Sequence, residues 1–478
     1  MGPSQPQLEI ATHEMKEQEY LNLLLSLNPE QILFFYDVLN SIKTQDMPIY
    51  RFLSGGAGVG KSHLITAIYQ ACLKYYNSRS GEQFDENNII LLAPTGKAAY
   101  NIKGNTIHSA MKIPASQSLA YKPLTTDKLN TFRLQFGHLN LVIIDEVSMV
   151  GACMLNFIHK RLQELMGNSQ HFGGVNIICV GDLYQLRPVF DDFIFKQPRQ
   201  NHHDSYGILA TNLWQTHFQM YQLRTIMRQR DSLDFAEMLN RLREGQHTEQ
   251  DITLLKTRII SPSAHSSIPS KAPRLFLENA KVNQYNEEVY NAAQTQSIIV
   301  AAQDNVVEPA SQEVRKQILH NIPTDPSKTM QLQTKLHLAI GERYDISVNV
   351  NVADGLANGA SGVLQKASLT KAHNTSSGIL WVLFDNPQVG QQARQSHNRI
   401  YRQQGVQPDW TPIVPTTRAF TVSRRITVKR TQFPLRPAAS KTVHRSQGDT
   451  LASAVVDLST KRKMHGIHYV ALSRVQTN

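Results

Sequence analysis

Residues 55–62 read Gly55-Gly-Ala-Gly-Val-Gly-Lys61-Ser62, and this stretch restricts the chain to a small set of folds. It satisfies in full the spacing Gly-x-x-x-x-Gly-Lys-Ser/Thr. Ile49-Tyr-Arg-Phe-Leu53 before it reads as a short strand, and Leu64, Ile65, Ile68, Cys72 and Leu73 after it recur at helical spacing. A glycine loop between strand and helix turns its backbone N–H groups onto a phosphate chain, and the helix N-terminus adds partial positive charge. Gly55, Gly56, Ala57, Gly58, Val59 and Gly60 would wrap the phosphates of ATP. Lys61 would meet the β- and γ-phosphates, and Ser62 would offer its hydroxyl to Mg²⁺. A glycine loop of no function is the plain alternative, and the strand and helix on either side argue against it.

Three apolar runs read as buried parallel strands: Ile89-Ile-Leu-Leu-Ala93, Leu141-Val-Ile-Ile144, and the run from Val175 to Val180. Continuous apolar strands imply helices on both faces of the sheet. Each run ends in a polar cluster, where ligands bind in open α/β sheets. Residues 104–138 break the rhythm with Pro114 and Pro123 and read as an insertion; residues 363–437 read as a small β module around a long loop at 388–407. No apolar run approaches the ~20 residues of a membrane span. Cys72, Cys153 and Cys179 lie far apart, so neither a disulfide nor a zinc site is expected, and an intracellular, reducing location follows. The formal net charge of +11 favours a polyanionic partner.

The polar clusters carry chemistry. Asp145 can hold Mg²⁺ opposite Ser62, while Glu146 can orient and deprotonate an attacking water. Gln185, in Gly181-Asp182-Leu-Tyr-Gln185, can donate to a γ-phosphate and accept from that water. Arg228 and Arg474 can bring guanidinium charge to the transition state, although either one taken alone reads as a surface arginine.

The ordered set resembles the petite-integration-frequency (Pif-type) DNA helicases of superfamily one. Beside the segments above it includes Leu27-Asn-Pro-Glu-Gln31, Ala93-Pro-Thr-Gly-Lys97, Asn105-Thr-Ile-His108, Asp354-Gly-Leu-Ala-Asn358-Gly359, Val443-His-Arg-Ser-Gln447 and Tyr469-Val-Ala-Leu-Ser-Arg474. Arg187 and Arg445 depart from the family wording, and both keep or add positive charge. Some of the wording also looks like helicases of Helitron-like mobile elements. The resemblance implies that Gln31 reads the adenine. It further implies that Thr95, Gly96, Lys97 and His108 touch the DNA backbone from a first RecA-like domain, and that Asn358, Gly359, His444 and Ser446 lie near DNA or the interdomain cleft in a second.

The expected protein is therefore α/β, with two RecA-like phosphate-loop domains, a small wedge insertion and an SH3-like β insertion. Its expected divisions are an N-terminal extension (1–26), a first domain (27–203) with the wedge at about 104–138, a second domain (204–362 and 438–478), and the inserted module (363–437). Such a protein would use ATP and Mg²⁺ to move 5′→3′ along single-stranded DNA as a monomer, and to open forked DNA. It would act in replication, repair, recombination, telomere maintenance or transposition, in the nucleus of a eukaryote, either by itself or as part of a larger polypeptide. Tyr121, Phe132 and Phe136 would serve the wedge or, like most aromatics, the core. The rivals are an RNA-translocating helicase of the same superfamily and a nucleic-acid-binding scaffold with a vestigial ATPase.

Overall fold

The computed structural model describes residues 14–44, 47–79, 87–114, 119, 121–197, 212–227, 233–260, 272–295, 297–309, 311–369, 377–397, 399–401, 405–423, 426–459 and 466–475. Backbone contacts divide the chain into two compact units, Met1–Ser261 with Arg462–Asn478, and Pro262–Lys461. No helix among the described residues is long and apolar enough to cross a membrane.

The first unit is built on six parallel strands: β1 (Tyr50–Gly55), β2 (Ile89–Ala93), β3 (Asn105–Thr106), β4 (Leu141–Ile144), β5 (Asn176–Gly181) and β6 (Gln219–Leu223). Their spatial order is β3-β2-β4-β5-β1-β6. Register places Leu53 beside Val180 and Tyr221, and Ile143 beside Ile178 and Leu91. Because the runs are apolar on both sides, helices cover both faces. Pairing in parallel delivers every strand's carboxyl end to one edge, where the polar clusters emerge together. The helix Glu17–Leu25, within the expected N-terminal extension, joins this unit through Lys74, whose ammonium pairs with Glu14 and Glu17.

Residues 104–138 form β3, the short helix Ile107–Ala110 and the helix Thr126–Phe136. Phe132 and Phe136 meet edge to face at 5.1 Å inside the main core, and Tyr121 packs against that core. Their burial is the ordinary core fate of aromatics, not a wedge surface. The fully buried Arg161, from the helix Ala152–Met166, fastens the segment by donating to Met111 O (3.1 Å) and Lys122 O (3.1 Å). Glu164 on that helix accepts from Tyr121 Oη and Leu124 N.

The second unit contains a parallel three-stranded sheet ordered Ser440–Thr442, Arg274–Phe276, Val455–Val456. Besides an antiparallel pair, Ser297–Ala301 with Lys335–Ala339, two larger antiparallel sheets accompany it. One has five strands ordered Thr411–Ile413, Gly378–Phe384, Ser361–Leu369, Arg343–Ile346 and Leu435–Pro437. The other joins Thr416–Ser423, Ile426–Gln432 and Gln303–Val306. The β module therefore reaches beyond 363–437, since it draws strands from 343–346 and 303–306. The stretch 388–407 contains a helix, Gln391–Ser396, whose first N–H groups at Gln392 and Ala393 donate to Asp354 (2.8 and 3.0 Å).

Residues 204–261 and 462–478 belong with the phosphate-loop unit, whereas the sequence division places both in the second domain. Buried polar bonds account for the difference: Arg243 and Tyr469 both bond Asp182 at the end of β5. The burial of the insertion is testable. Phe136→Ala, at 1% exposure, should cost about 3–5 kcal/mol in chemical denaturation, whereas Leu134→Ala on the same helix, at 90% exposure, should stay within about 0.5 kcal/mol.

Candidate active site

The loop at 55–62 leaves β1 and enters the helix Lys61–Arg79. Gly58 and Gly60 hold φ of 83° and 79°, a region glycine occupies without steric cost. A Cβ at Gly60 would also lie 2.6 Å from Gln31 Nε2, so a larger residue there would push the Gln31 amide from its place. Lys61 Nζ donates to the loop's own carbonyls, Gly55 O at 2.9 Å and Gly56 O at 2.8 Å. The lysine thus lies folded along the rim of the anion cradle.

Neighbouring segments brace the loop from outside. Gln31, 1% exposed, donates from Nε2 to Val59 O (3.1 Å) while its Oε1 accepts from Asn28 N (2.9 Å). Asn28 Oδ1 accepts in return from Gln31 N (2.9 Å), which closes a reciprocal cap on the helix Pro29–Thr44. Glu30 accepts from the Arg224 and Thr225 N–H groups, and Met227 N donates to Gly58 O (2.8 Å). The strand end of β6 is therefore tied against the loop. Arg228, the next residue, lies outside the described residues.

Asp145 and Glu146 end β4. Asp145 Oδ1 accepts from Glu146 N (2.8 Å), and Asp145 N donates to Leu92 O (2.8 Å). Burial, with the Glu146 carboxylate adding to it, pushes the Asp145 carboxyl up to about 7. The Glu146 N–H and Lys61 oppose that rise without cancelling it. Glu146 itself adopts φ 52° and ψ 44°, unfavourable for a residue with a side chain, and its Oε2 is buried with no hydrogen bond among the described residues. A raised buried carboxyl beside an orphaned carboxylate oxygen is short of positive charge, so the acidic pair fits a divalent cation.

Beyond β5, Gln185 N donates to Asp182 O (3.0 Å), and the Gln185 side chain is buried. Arg474 is also buried, with Nε donating to Val470 O (2.8 Å) and Nη2 to Ser473 Oγ (2.8 Å). It follows directly on the helix Ile467–Leu472, which packs within the same unit as the loop. Three residues that sequence reasoning passed over join this region: Asp182, Arg243 and Tyr469. The segment wording containing Asp182 and Tyr469 was visible in the sequence; Arg243, at the end of the helix Leu233–Glu244, carried no signal.

The residues expected on DNA fall at comparable places in each unit. Thr95 caps the helix Gly96–Asn101 by accepting from Ala98 N (3.2 Å), which puts Gly96 and Lys97 in the first turn beyond β2. His108 is exposed on the short helix beyond β3, so β2 and β3 present these residues side by side. In the second unit, Asn358 Oδ1 accepts from Arg436 Nη2 (2.8 Å), and Gly359, at φ 95°, donates to Ile346 O (2.9 Å). His444 is half-buried, at the start of the turn that carries Ser446. Ser446 is fully buried and its hydroxyl bonds Val443 O (2.9 Å), so it supports the turn from within rather than facing outward. Lys441 anchors the same turn: its buried ammonium reaches Asp345, Ser361 (3.0 Å) and Asp449 (3.3 Å). Burial opposes the Lys441 charge, but the two carboxylates outweigh it and hold the amine above its ordinary range.

Residues 26–253 match the model of a family described as PIF1-like helicase. A protein of Emericella nidulans named ATP-dependent DNA helicase PIF1 is 27% identical over 450 residues, covering 88% of this chain and 56% of its own length. ATP-dependent DNA helicase Pif1 of Campylobacter jejuni is 26% identical over 440 residues, covering 88% of this chain and 86% of its own. The chain thus spans little more than half of the Candida albicans and Emericella nidulans relatives, 51% and 56%. Among solved structures, Pif1 helicase from Candida albicans superposes with a TM-score of 0.65 at 23% identity, over 94% of this chain and 92% of that one. Pif1 helicase from Bacteroides in complex with ADP-AlF3 and single-stranded DNA gives a TM-score of 0.59 at 25% identity, over 93% and 90%. These likenesses agree with the parallel sheets in carrying the RecA-like α/β fold.

The brace on the loop leads to a measurable expectation. Gln31→Ala removes the bond to Val59 O, worth about 1 kcal/mol, so triphosphate affinity, read by titration with a fluorescent ATP analogue, should fall roughly fivefold.

Proposed function

We propose that this chain, a member of the PIF1-like helicase family, is an ATP-driven motor that moves 5′→3′ along single-stranded DNA and opens duplex DNA ahead of it. The observation that supports this most strongly is the convergence of Lys61, Asp145, Glu146 and Gln185 at the carboxyl ends of β1, β4 and β5, which lie beside one another in the sheet. Direction of travel and the choice of DNA follow from the family, whose Bacteroides member is described with ADP-AlF3 and single-stranded DNA.

In the proposed cycle the N–H groups of residues 56–62 hold the phosphates of ATP, and Lys61 leaves the Gly55 and Gly56 carbonyls for the β- and γ-phosphate oxygens. Gln31, beside the loop, would contact the adenine. Ser62 and Asp145 would hold Mg²⁺, which when bound neutralises phosphate charge. Glu146 has an unpaired carboxylate oxygen and accepts a proton from water as the water oxygen bonds the γ-phosphorus. The bond from that phosphorus to the β–γ bridging oxygen breaks, and ADP leaves with its electrons. Gln185 orients the water, and Arg228 and Arg474 offset the charge that gathers on the transferring group.

Thr95, Gly96, Lys97 and His108 on one unit, with Asn358, Gly359 and His444 on the other, would track the DNA backbone. Ser446 would act indirectly, through the turn it supports. Binding dominated by phosphate contacts should weaken steeply with salt and show little sequence preference. A monomer working inside the cell, and in the nucleus of a eukaryote, goes with this reading.

Partial duplexes with either a 5′ or a 3′ single-stranded overhang test the proposal. Unwinding should require the 5′ overhang and ATP; unwinding from the 3′ overhang alone would overturn it. Lys61→Ala should abolish hydrolysis, and Glu146→Gln should lower kcat by roughly 10²–10⁴ while leaving ATP affinity nearly unchanged. Stimulation of hydrolysis by RNA rather than DNA would shift the assignment to the RNA-translocating alternative.

A further inference from the structure

The N–H groups of a phosphate loop are its anion ligands, yet one of them is already engaged. Ala57 N donates to the Tyr469 hydroxyl at 3.0 Å. Tyr469 Oη in turn donates to Asp182 Oδ2 at 2.9 Å. Burial, with the Asp182 carboxylate adding to it, pushes the phenol above its ordinary range, so it keeps the proton that it donates.

Asp182 is fully buried and uses its other oxygen as well. Oδ1 accepts from Arg243 Nε at 3.0 Å and from Tyr184 N at 3.2 Å. The Arg243 guanidinium lies over the Tyr184 ring, 4.4 Å from its centroid, and its Nη2 is buried with no hydrogen-bond partner among the described residues. The contacts at the loop are close: a Cβ at Gly56 would stand 3.5 Å from Tyr469 Oη and 3.7 Å from Arg243 Cδ. A Cβ at Gly466, which opens the helix of Tyr469 at φ 72°, would meet Tyr184 O at 2.5 Å.

One unbroken chain of polar contacts therefore runs from a loop amide through the C-terminal helix to the end of β5 and on to the helix Leu233–Glu244. Asp182 stands three residues before Gln185, and Tyr469 five before Arg474. A buried ion pair and a buried phenol are weak means of stabilising a fold, because desolvation consumes most of the gain. An unpaired guanidinium nitrogen makes stability a poorer explanation still.

We infer that Asp182, Arg243 and Tyr469 are positioning residues that read whether the phosphate loop is filled and set Gln185 and Arg474 accordingly. The Tyr469 hydroxyl acts as an internal ligand of Ala57 N–H. An arriving triphosphate competes for that N–H, and the released phenol stays with Asp182. The state of the loop then reaches the glutamine through Asp182 and the arginine through the Tyr469 helix. The inference rests on the triphosphate chemistry proposed above and adds residues that the chemistry does not itself require.

Tyr469→Phe is the decisive variant, since it keeps the ring and removes only the hydroxyl. Loss of a competing internal ligand should tighten binding of a non-hydrolysable ATP analogue by roughly threefold to tenfold, the worth of one hydrogen bond. Loss of positioning should lower the kcat of ATP hydrolysis by tenfold or more, as roughly expected when aligned groups drift. Tighter binding with slower turnover is a split that simple loss of structure does not produce. Asp182→Asn supplies a second arm, and the double variant should turn over no more slowly than the slower single one.

Weaker analogue binding by Tyr469→Phe, unchanged kcat, or losses that multiply in the double variant would each overturn the inference. If wild-type protein hydrolyses ATP and unwinds DNA while Tyr469→Phe matches it in both constants, the relay fails and the motor stands. If wild type binds the analogue without unwinding and Tyr469→Phe still binds it more tightly, the motor fails and the internal ligand stands. Wild type that binds no analogue would overturn both.

Discussion

Parallel pairing of β1 with β5 on one side and β6 on the other is the constraint on which the rest of the first unit depends. It carries Ser54 and Gly55 level with Gly181 and Leu223. Three chain segments that leave the sheet there, at 55–62, 181–188 and 223–227, must share one small region. Their backbone N–H and carbonyl groups lose their ladder partners at that edge and need others. Met227 N on Gly58 O and Gln185 N on Asp182 O are local solutions; Gln31 and Glu30 supply side chains where the backbone cannot reach.

What could be read in the sequence was whatever obeys a local rule. The glycine loop, the apolar strands and the polar residues at their ends each follow from spacing over a few residues, and the structure places them at the same strand ends. The N-cap spacing of Asn28 and Gln31 was equally local, but a role in nucleotide recognition claimed Gln31 first, and its bond to Val59 was overlooked. Arg243 could not have been found, because nothing near it in sequence marks Asp182 as its partner. The same holds for Arg161, which is fully buried in the helix Ala152–Met166 although arginine normally signals a surface. The contact division differs from the sequence division for a related reason: composition shows where chain texture changes, not which side a helix packs on.

Both units place buried charge next to residues proposed to act on ATP or DNA. Asp182 with Arg243 lies beneath the phosphate loop, and Lys441 with Asp345 and Asp449 lies beneath the turn that carries His444 and Ser446. Such pairs contribute little net stability, but they tolerate only one arrangement, because a displaced partner leaves an uncompensated charge in a low-dielectric interior. That rigidity suits turns that must meet a ligand with fixed geometry. The insertion at 104–138 uses both means: apolar contacts through Phe132 and Phe136, and the buried Arg161 that bonds Met111 O and Lys122 O.

The bond between Ala57 and Tyr469 spans 412 residues of chain. A nascent chain emerging from the ribosome completes the six-stranded sheet early, since β6 ends at Leu223. It then adds the whole of Pro262–Lys461 before the segment that closes the loop is synthesised. Domains fold as units during synthesis at roughly 5–20 residues per second, so the first sheet waits on the order of ten seconds or more with Ala57 and the buried end of Asp182 uncovered. For that interval the growing polypeptide holds a nearly finished nucleotide cradle whose control element does not yet exist.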